Sequence, residues 1–304
     1  MTPLPIQART VIERAIREAA GESFSLRDCE PVTGGCIHRA LRVADGATRY
    51  FVKLGPAETQ AMFEAEADGL AAIRASGTMR TPATVAIAAH DGYACLVLEH
   101  LDMEAVRTPE HGERFADALA RMHATQGERF GWHRDNFIGS TPQSNTPYDN
   151  WALFFVRERL RPQFQRARAL GFTGELQRAG ERLMDRVPAL FLDYRPKPAL
   201  LHGDLWHGNA GIDAGGEPVL FDPAVHYGDR ESDLAMSELF GGFPTRFYST
   251  YRTVAGLDSD FESRKPLYSL YHLLNHLNLF GRQYLRECER VAIRLEQALA
   301  THGR

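Results

Sequence analysis

The chain has 304 residues, 44% of them apolar and 24% charged, with a formal net charge of -4. This is the composition of a globular protein long enough for two cores; it has no basic excess for binding nucleic acid and no run of about 20 apolar residues that would cross a membrane. The four cysteines, Cys29, Cys36, Cys95 and Cys288, contain no CxxC pair, which argues against a structural zinc or a disulfide framework and for a reducing cytoplasm.

The first predicted element is an amphipathic helix over 10–20, without the basic flank and apolar core of a signal peptide. Strands follow at Val32, over 40–43 and over 50–54, separated by Gly34-Gly35 and by an Asp45-Gly46 turn that reads as a hairpin. A helix over 57–76 closes at Gly77. Two further strands, over 83–89 and 94–99, are joined by Asp91-Gly92. From Thr108 the pattern turns helical: 109–124, then 151–170 with Pro162 as a kink, then 176–192. A loop-and-strand region rich in Gly, Asp and His spans 200–223, and helices resume at Glu231 and end with a run over 267–300. The expected fold is α+β: a small β-rich N-terminal lobe, 1–101, and a larger, mostly helical C-terminal lobe, 102–304.

The polar residues of 200–223 carry the chemistry. In His202-Gly203-Asp204-Leu205-Trp206-His207-Gly208-Asn209, four residues separate Asp204 from Asn209. That is the spacing of a protein-kinase catalytic loop, in which the Asp takes the acceptor's proton and the Asn holds magnesium. Thirteen residues later, Asp222 ends the apolar run Val219-Leu220-Phe221, where a strand-end carboxylate supplies a second oxygen ligand. Lys53 lies on a strand, and Glu66 falls on the apolar stripe of the following helix. An inward carboxylate needs a partner, and Lys53 is the candidate; Glu64 projects about 160° away. Gly34 and Gly35 offer backbone amides to phosphate, although their segment is neither a P-loop nor GxGxxG. Asp229 and Asp233 read as residues that cap and tie the helix after 223, and His202 as one that orients the catalytic loop. His272 and His276, at i, i+4, read as core or hydrogen-bonded histidines.

The segments HGDLWHGN (202–209), FDPAVHYGDRESDLAM (221–236), FGGFPTRFYSTY (240–251), GGCIHRA (34–40), MFEAEADGL (62–70), LVLEHL (96–101) and FGWHRDNFIGSTPQSN (130–145) resemble the fructosamine/ketosamine-3-kinase family. The resemblance runs from about Arg27 to Arg282. It implies a two-lobed protein-kinase-like fold, related to that of aminoglycoside phosphotransferases. It also implies ATP- and Mg2+-dependent phosphorylation of the sugar 3-hydroxyl on glycated amines (ribulosamine, erythrulosamine or fructosamine, free or on protein lysines). The product is unstable and releases the amine, so such enzymes act in deglycation and protein repair.

By position, the resemblance makes Asp204 the proton acceptor, Asn209 and Asp222 the magnesium ligands, and Lys53 with Glu66 the phosphate-positioning pair. Glu99, His100 and Leu101 become the hinge whose backbone holds adenine. Trp206, with His202, is placed on the substrate side, where an indole stacks on a cationic amine. His207 departs from the small residue usual there. Cys36 matches a cysteine of the family's phosphate loop, which implies redox sensitivity and a chain that is monomeric or a redox-sensitive homodimer. Alternatives are another small-molecule kinase of the same fold, acting on an aminoglycoside, choline or a sugar, and a catalytically silent pseudokinase binding module. The presence of Lys53, Asp204, Asn209 and Asp222 together argues against the last.

Overall fold

Strand propensity and turn chemistry in the first hundred residues produce a five-stranded antiparallel sheet. A computed structural model describes residues 4–21, 24–32 and 39–302, divided into two compact units: Met1–Ala105 with Gly208–Pro223, and Val106–His207 with Ala224–Arg304. After helix α1 (Ile6–Ala20), the strands are β1 (Asp28–Pro31), β2 (Arg39–Ala44), β3 (Arg49–Pro56), β4 (Thr84–His90) and β5 (Tyr93–Glu99), in the order β1-β2-β3-β5-β4. The predicted turns fix the register. Asp45 Oδ1 accepts from the amides of Ala47 and Thr48 at 2.9 and 2.8 Å. Asp91 and Gly92 both have positive φ, 50° and 81°, as a two-residue turn matched to strand twist requires.

The period-2 alternation of the strands assigns each side of this sheet a helix. Leu41, Val43, Val52, Leu54, Cys95 and Val97 pack with Val11, Ile12 and Ile16 of α1. The opposite face, with Ala94, Leu96 and Leu98, packs with Phe63 and Leu70 of α2 (Gln60–Ala75). Lys53 lies between Val52 and Leu54 in sequence, so its side chain projects to the α2 face.

The strand β6 (Met103–Glu104) pairs with β10 (Ala210–Asp213), which pairs with β11 (Pro218–Leu220). This small sheet belongs to the first unit.

The second unit is mostly helical. It contains α3 (Pro109–Ala124), a β7–β8 hairpin (Asn136–Ile138, Thr141–Gln143), α4 (Trp151–Phe154), α5 (Arg161–Ala169) and α6 (Glu175–Arg186). These are followed by a ladder of β9 (Ala199–Leu201) with β12 (His226–Gly228), then α7 (Glu231–Leu239), α8 (Thr245–Ala255), α9 (Phe261–Phe280) and α10 (Leu285–His302). Its core gathers Trp151, Phe154, Phe155, Leu160, Leu183, Tyr268, Leu274 and Leu277. Two local features differ from the sequence reading. The run 151–170 is interrupted not by a simple kink but by a π-helical turn, Phe155–Leu160, ahead of Pro162 in the first turn of α5. A widened turn there relieves the clash between a proline ring and the carbonyl four residues back. The single helix expected over 267–300 is two, α9 and α10, broken at Gly281, whose φ of 93° lies outside helical space.

Candidate active site

In the first unit, Lys53 Nζ lies 2.7 Å from Glu66 Oε2 and 2.6 Å from Asp222 Oδ1. The pair forms because two periodicities converge. The inward face of β3 presents Lys53, and positions 63, 66 and 70 put Glu66 on the stripe of α2 whose Phe63 and Leu70 are buried. Lys53 is 8% exposed. Burial disfavours its ammonium, but Asp222 and Glu66 outweigh that and hold its pKa above the ordinary lysine value. For Glu66, burial dominates: its pKa is pushed up to about 7, although Lys53 pulls it down. One cation thus serves two carboxylates, and Glu66 Oε1 is left buried without a hydrogen-bond partner among the described residues.

The thirteen-residue spacing between Asn209 and Asp222 is a hairpin. The strands β10 and β11 pair Ala210 with Leu220 and Gly211 with Val219, and the Phe221 amide donates to the Asn209 carbonyl at 3.2 Å. Asn209 and Asp222 therefore come to one end of the same two strands. Asp222 has φ 57°; with Asp91 it is one of two non-glycine positions among the described residues with positive φ. Asp91 is in a hairpin turn, whereas Asp222 is not, and strain of this kind gathers at functional positions. At the other end, Asp213 Oδ1 accepts from the amides of Gly215 and Glu217 at 2.8 and 2.9 Å, and Oδ2 takes Arg80. Arg80 also donates to Glu99 Oε1 at 3.0 Å, so one guanidinium ties the hairpin to the segment Glu99, His100, Leu101. The Glu99 amide itself donates to the Ala83 carbonyl at 2.8 Å.

In the second unit, backbone hydrogen bonds fix the segment leading to Asp204. The Asp233 carboxylate accepts from the His202 amide at 2.7 Å and the Gly203 amide at 2.9 Å. His123 bridges Asp233 and the Tyr251 hydroxyl at 3.2 and 2.7 Å. Burial pushes the Asp233 pKa up, but His123 and the loop it holds bring the net below the usual aspartate range. Asp233 is thus a strut under the Asp204 loop and not a helix cap, whereas Asp229 caps as expected, its Oδ1 accepting from the Glu231 amide at the start of α7 at 3.0 Å. Gly203 has φ 81°, and a Cβ there would sit 2.1 Å from the Ala224 carbonyl oxygen, so only glycine fits.

His202 is completely buried, and its Nδ1 accepts the Asp204 amide at 3.2 Å. It braces the Asp204 segment and has no exposed surface to offer a substrate, which corrects its placement on the substrate side. Trp206 is half-buried with its ring 4.8 Å from that of the exposed His207. The loop with Trp132, Asp135 and Asn136 is anchored by Asn145, which takes the fully buried Arg159 at 2.7 Å. Gly34, Gly35 and Cys36 lie outside the described residues. His272, 68 residues along the chain, has its Nδ1 4.0 Å from Asp204 Oδ1, a proximity that no local pattern signals.

The fructosamine kinase family model matches residues 8–299. The chain belongs to the fructosamine kinase family. It is 41% identical over 303 residues to "Probable ketoamine kinase slr1563" of Synechocystis, covering 95% of this chain and 99% of the relative. Mouse "Ketosamine-3-kinase" is 36% identical over 83% of this chain and 89% of its own length. The solved structure of "Putative fructosamine-3-kinase" from Haemophilus somnus superposes with a TM-score of 0.86 at 28% identity, covering 94% of this chain and 97% of that one. Aminoglycoside phosphotransferase APH(4)-Ia, at 15% identity, a TM-score of 0.62 and coverage of 95% and 97%, shares the fold alone. That fold is the protein-kinase-like α+β fold. No helix among the described residues is long and apolar enough to cross a membrane.

Proposed function

We propose that the protein is an ATP-dependent ketosamine 3-kinase that phosphorylates the sugar 3-hydroxyl of a glycated amine, free or on a protein lysine. The observation that carries this reading is Lys53 held by both Glu66 and Asp222, a buried cation aimed by one carboxylate at another. The family membership and the names of the relatives support the acceptor class.

In this reading, Asp204 takes the proton of the 3-hydroxyl as that oxygen bonds to the γ-phosphorus and the bond to the ADP oxygen breaks, giving ADP and the sugar 3-phosphate. Lys53 positions the phosphates. The backbone of Glu99, His100 and Leu101 reads adenine, with the Glu99 amide already committed to Ala83. Asn209 and Asp222 would hold magnesium: both are hard oxygen donors at one hairpin end, and Asp222 is held there in left-handed backbone. When bound, magnesium supplies charge neutralisation for the migrating phosphoryl group. Trp206 stacks on the amine-bearing part of the acceptor.

The test is a panel of ribulosamine-, erythrulosamine- and fructosamine-lysine with ATP and magnesium, assayed alongside an aminoglycoside. Turnover of at least one ketosamine is expected, with a loss of roughly a hundredfold or more in Asp204→Asn. Turnover of the aminoglycoside alone overturns the acceptor assignment, and an unimpaired Asp204→Asn enzyme overturns the mechanism.

A further inference from the structure

The mechanism leaves one buried polar group beside the proposed base unexplained. His272 lies on α9, its side chain 5% exposed, with Nδ1 4.0 Å from Asp204 Oδ1. That nitrogen has no hydrogen-bond partner among the described residues. The Tyr271 ring stands edge-on to it at 5.0 Å, and one turn on, His276 Nδ1 donates to the His272 carbonyl at 2.8 Å. α9 packs on α7, whose Asp233 fixes the His202 and Gly203 amides. One helix therefore sets the loop, and the helix beside it presents an imidazole to the carboxylate that the loop carries.

We infer that His272 is a positioning residue for Asp204, its Nδ1–H donating to Oδ1 and so orienting the carboxylate that takes the acceptor's proton. The remaining gap of about 1 Å is the kind that closes when a reactive complex forms, since catalytic hydrogen bonds are often long in the free enzyme. Burial, and after it the neighbouring His276, push the His272 pKa down to about 3. The ring is therefore neutral at physiological pH and carries a single proton to donate. An unpaired imidazole nitrogen in a buried site destabilises the fold relative to an apolar side chain, and such a cost is retained where activity needs the group.

The inference rests on Asp204 being the base, and the experiment separates the two. Wild type, His272→Leu and His272→Asn are compared, each also in an Asp204→Asn background. Turnover is read on the glycated amine and as slow ATP hydrolysis with water as acceptor, so the outcome does not depend on the sugar. His272→Leu is expected to lower kcat by about tenfold to a hundredfold, to leave KM for ATP unchanged, and to leave the thermal midpoint at or above that of wild type. His272→Asn, whose amide nitrogen sits near the place of Nδ1, should recover most of the rate. In the Asp204→Asn background, His272→Leu should cost nothing further. Undiminished kcat in His272→Leu with an impaired Asp204→Asn overturns this inference alone, as does a loss of rate with a parallel fall in midpoint or one repeated in full without Asp204. An unimpaired Asp204→Asn overturns the base assignment and this inference with it.

Discussion

The two units hold their key charges in different ways. In the first, side chains hold side chains: Lys53 bonds Glu66 and, across 169 positions of sequence, Asp222. In the second, a carboxylate holds backbone: Asp233 takes the amides of His202 and Gly203, and His202 takes the amide of Asp204. An ion pair between side chains can be exchanged: in the proposed mechanism Lys53 turns to a phosphate and Asp222 to a metal without disturbing the sheet. A loop bonded through its amides cannot shift without exposing buried donors. The Lys53 cluster is built to rearrange, and the Asp204 loop is built to stay put.

The largest effect that this difference predicts is in the second unit. Asp233→Ala removes the acceptor of two buried amides and the partner of His123 at once. A loss of about 3–5 kcal/mol is expected, read as a fall in the urea midpoint, together with loss of turnover. If turnover survives with the midpoint lowered, the loop keeps its shape without the strut, and the contrast between the units fails.

The next effect is in the first unit and has the opposite balance. Lys53→Met should cost roughly a hundredfold or more in kcat/KM, the scale for removing one donor from a transition-state charge, while changing stability by less than about 1 kcal/mol. Stability is spared because Glu66, whose pKa already lies near 7, takes up a proton when its cation is gone. A midpoint that drops as far as that of Asp233→Ala would mean that the Lys53 cluster is structural.

The same contrast governs what could be read from the sequence. Lys53 and Glu66 were legible because strand and helix periods alone bring them to one interface, and Asn209 and Asp222 because a hairpin converts a thirteen-residue spacing into adjacency. These are local rules summed over short stretches. The second unit resisted such reading. Asp233 looked like a cap because it begins a helix, and its real partners, the amides of 202 and 203, are set by tertiary packing. His272 sits in an apolar helical run where a core histidine is the expected reading, and only the fold brings it to Asp204. The break at Gly281 was hidden for a similar reason: helical periodicity continues on both sides of it, and the change of direction is carried by one φ angle.

The smallest effect concerns pH, where the units should respond with opposite sign. His226 and His272 are buried, and burial pushes both pKa values down to about 3. Unfolded, each titrates near 6.5, so below that pH the unfolded state binds more protons. Their stabilising contribution is complete above 6.5 and declines as pH falls, by at most about 1.4 kcal/mol per pH unit for each histidine. Glu66 behaves in reverse. Its folded pKa is raised to about 7 from an ordinary 4.5, so its contribution is complete below 4.5 and declines as pH rises through 7. Moving from pH 7.5 to 5.5 should therefore weaken the second unit and strengthen the surroundings of α2. Amide hydrogen exchange, corrected for the intrinsic pH dependence, should show protection falling in α7 and α9 and holding or rising in α2 and β3. Equal changes in both places would mean that the buried histidines and the Lys53 cluster do not set the acid response. With His272→Leu, the loss of protection in α9 should be shallower by the share of one histidine.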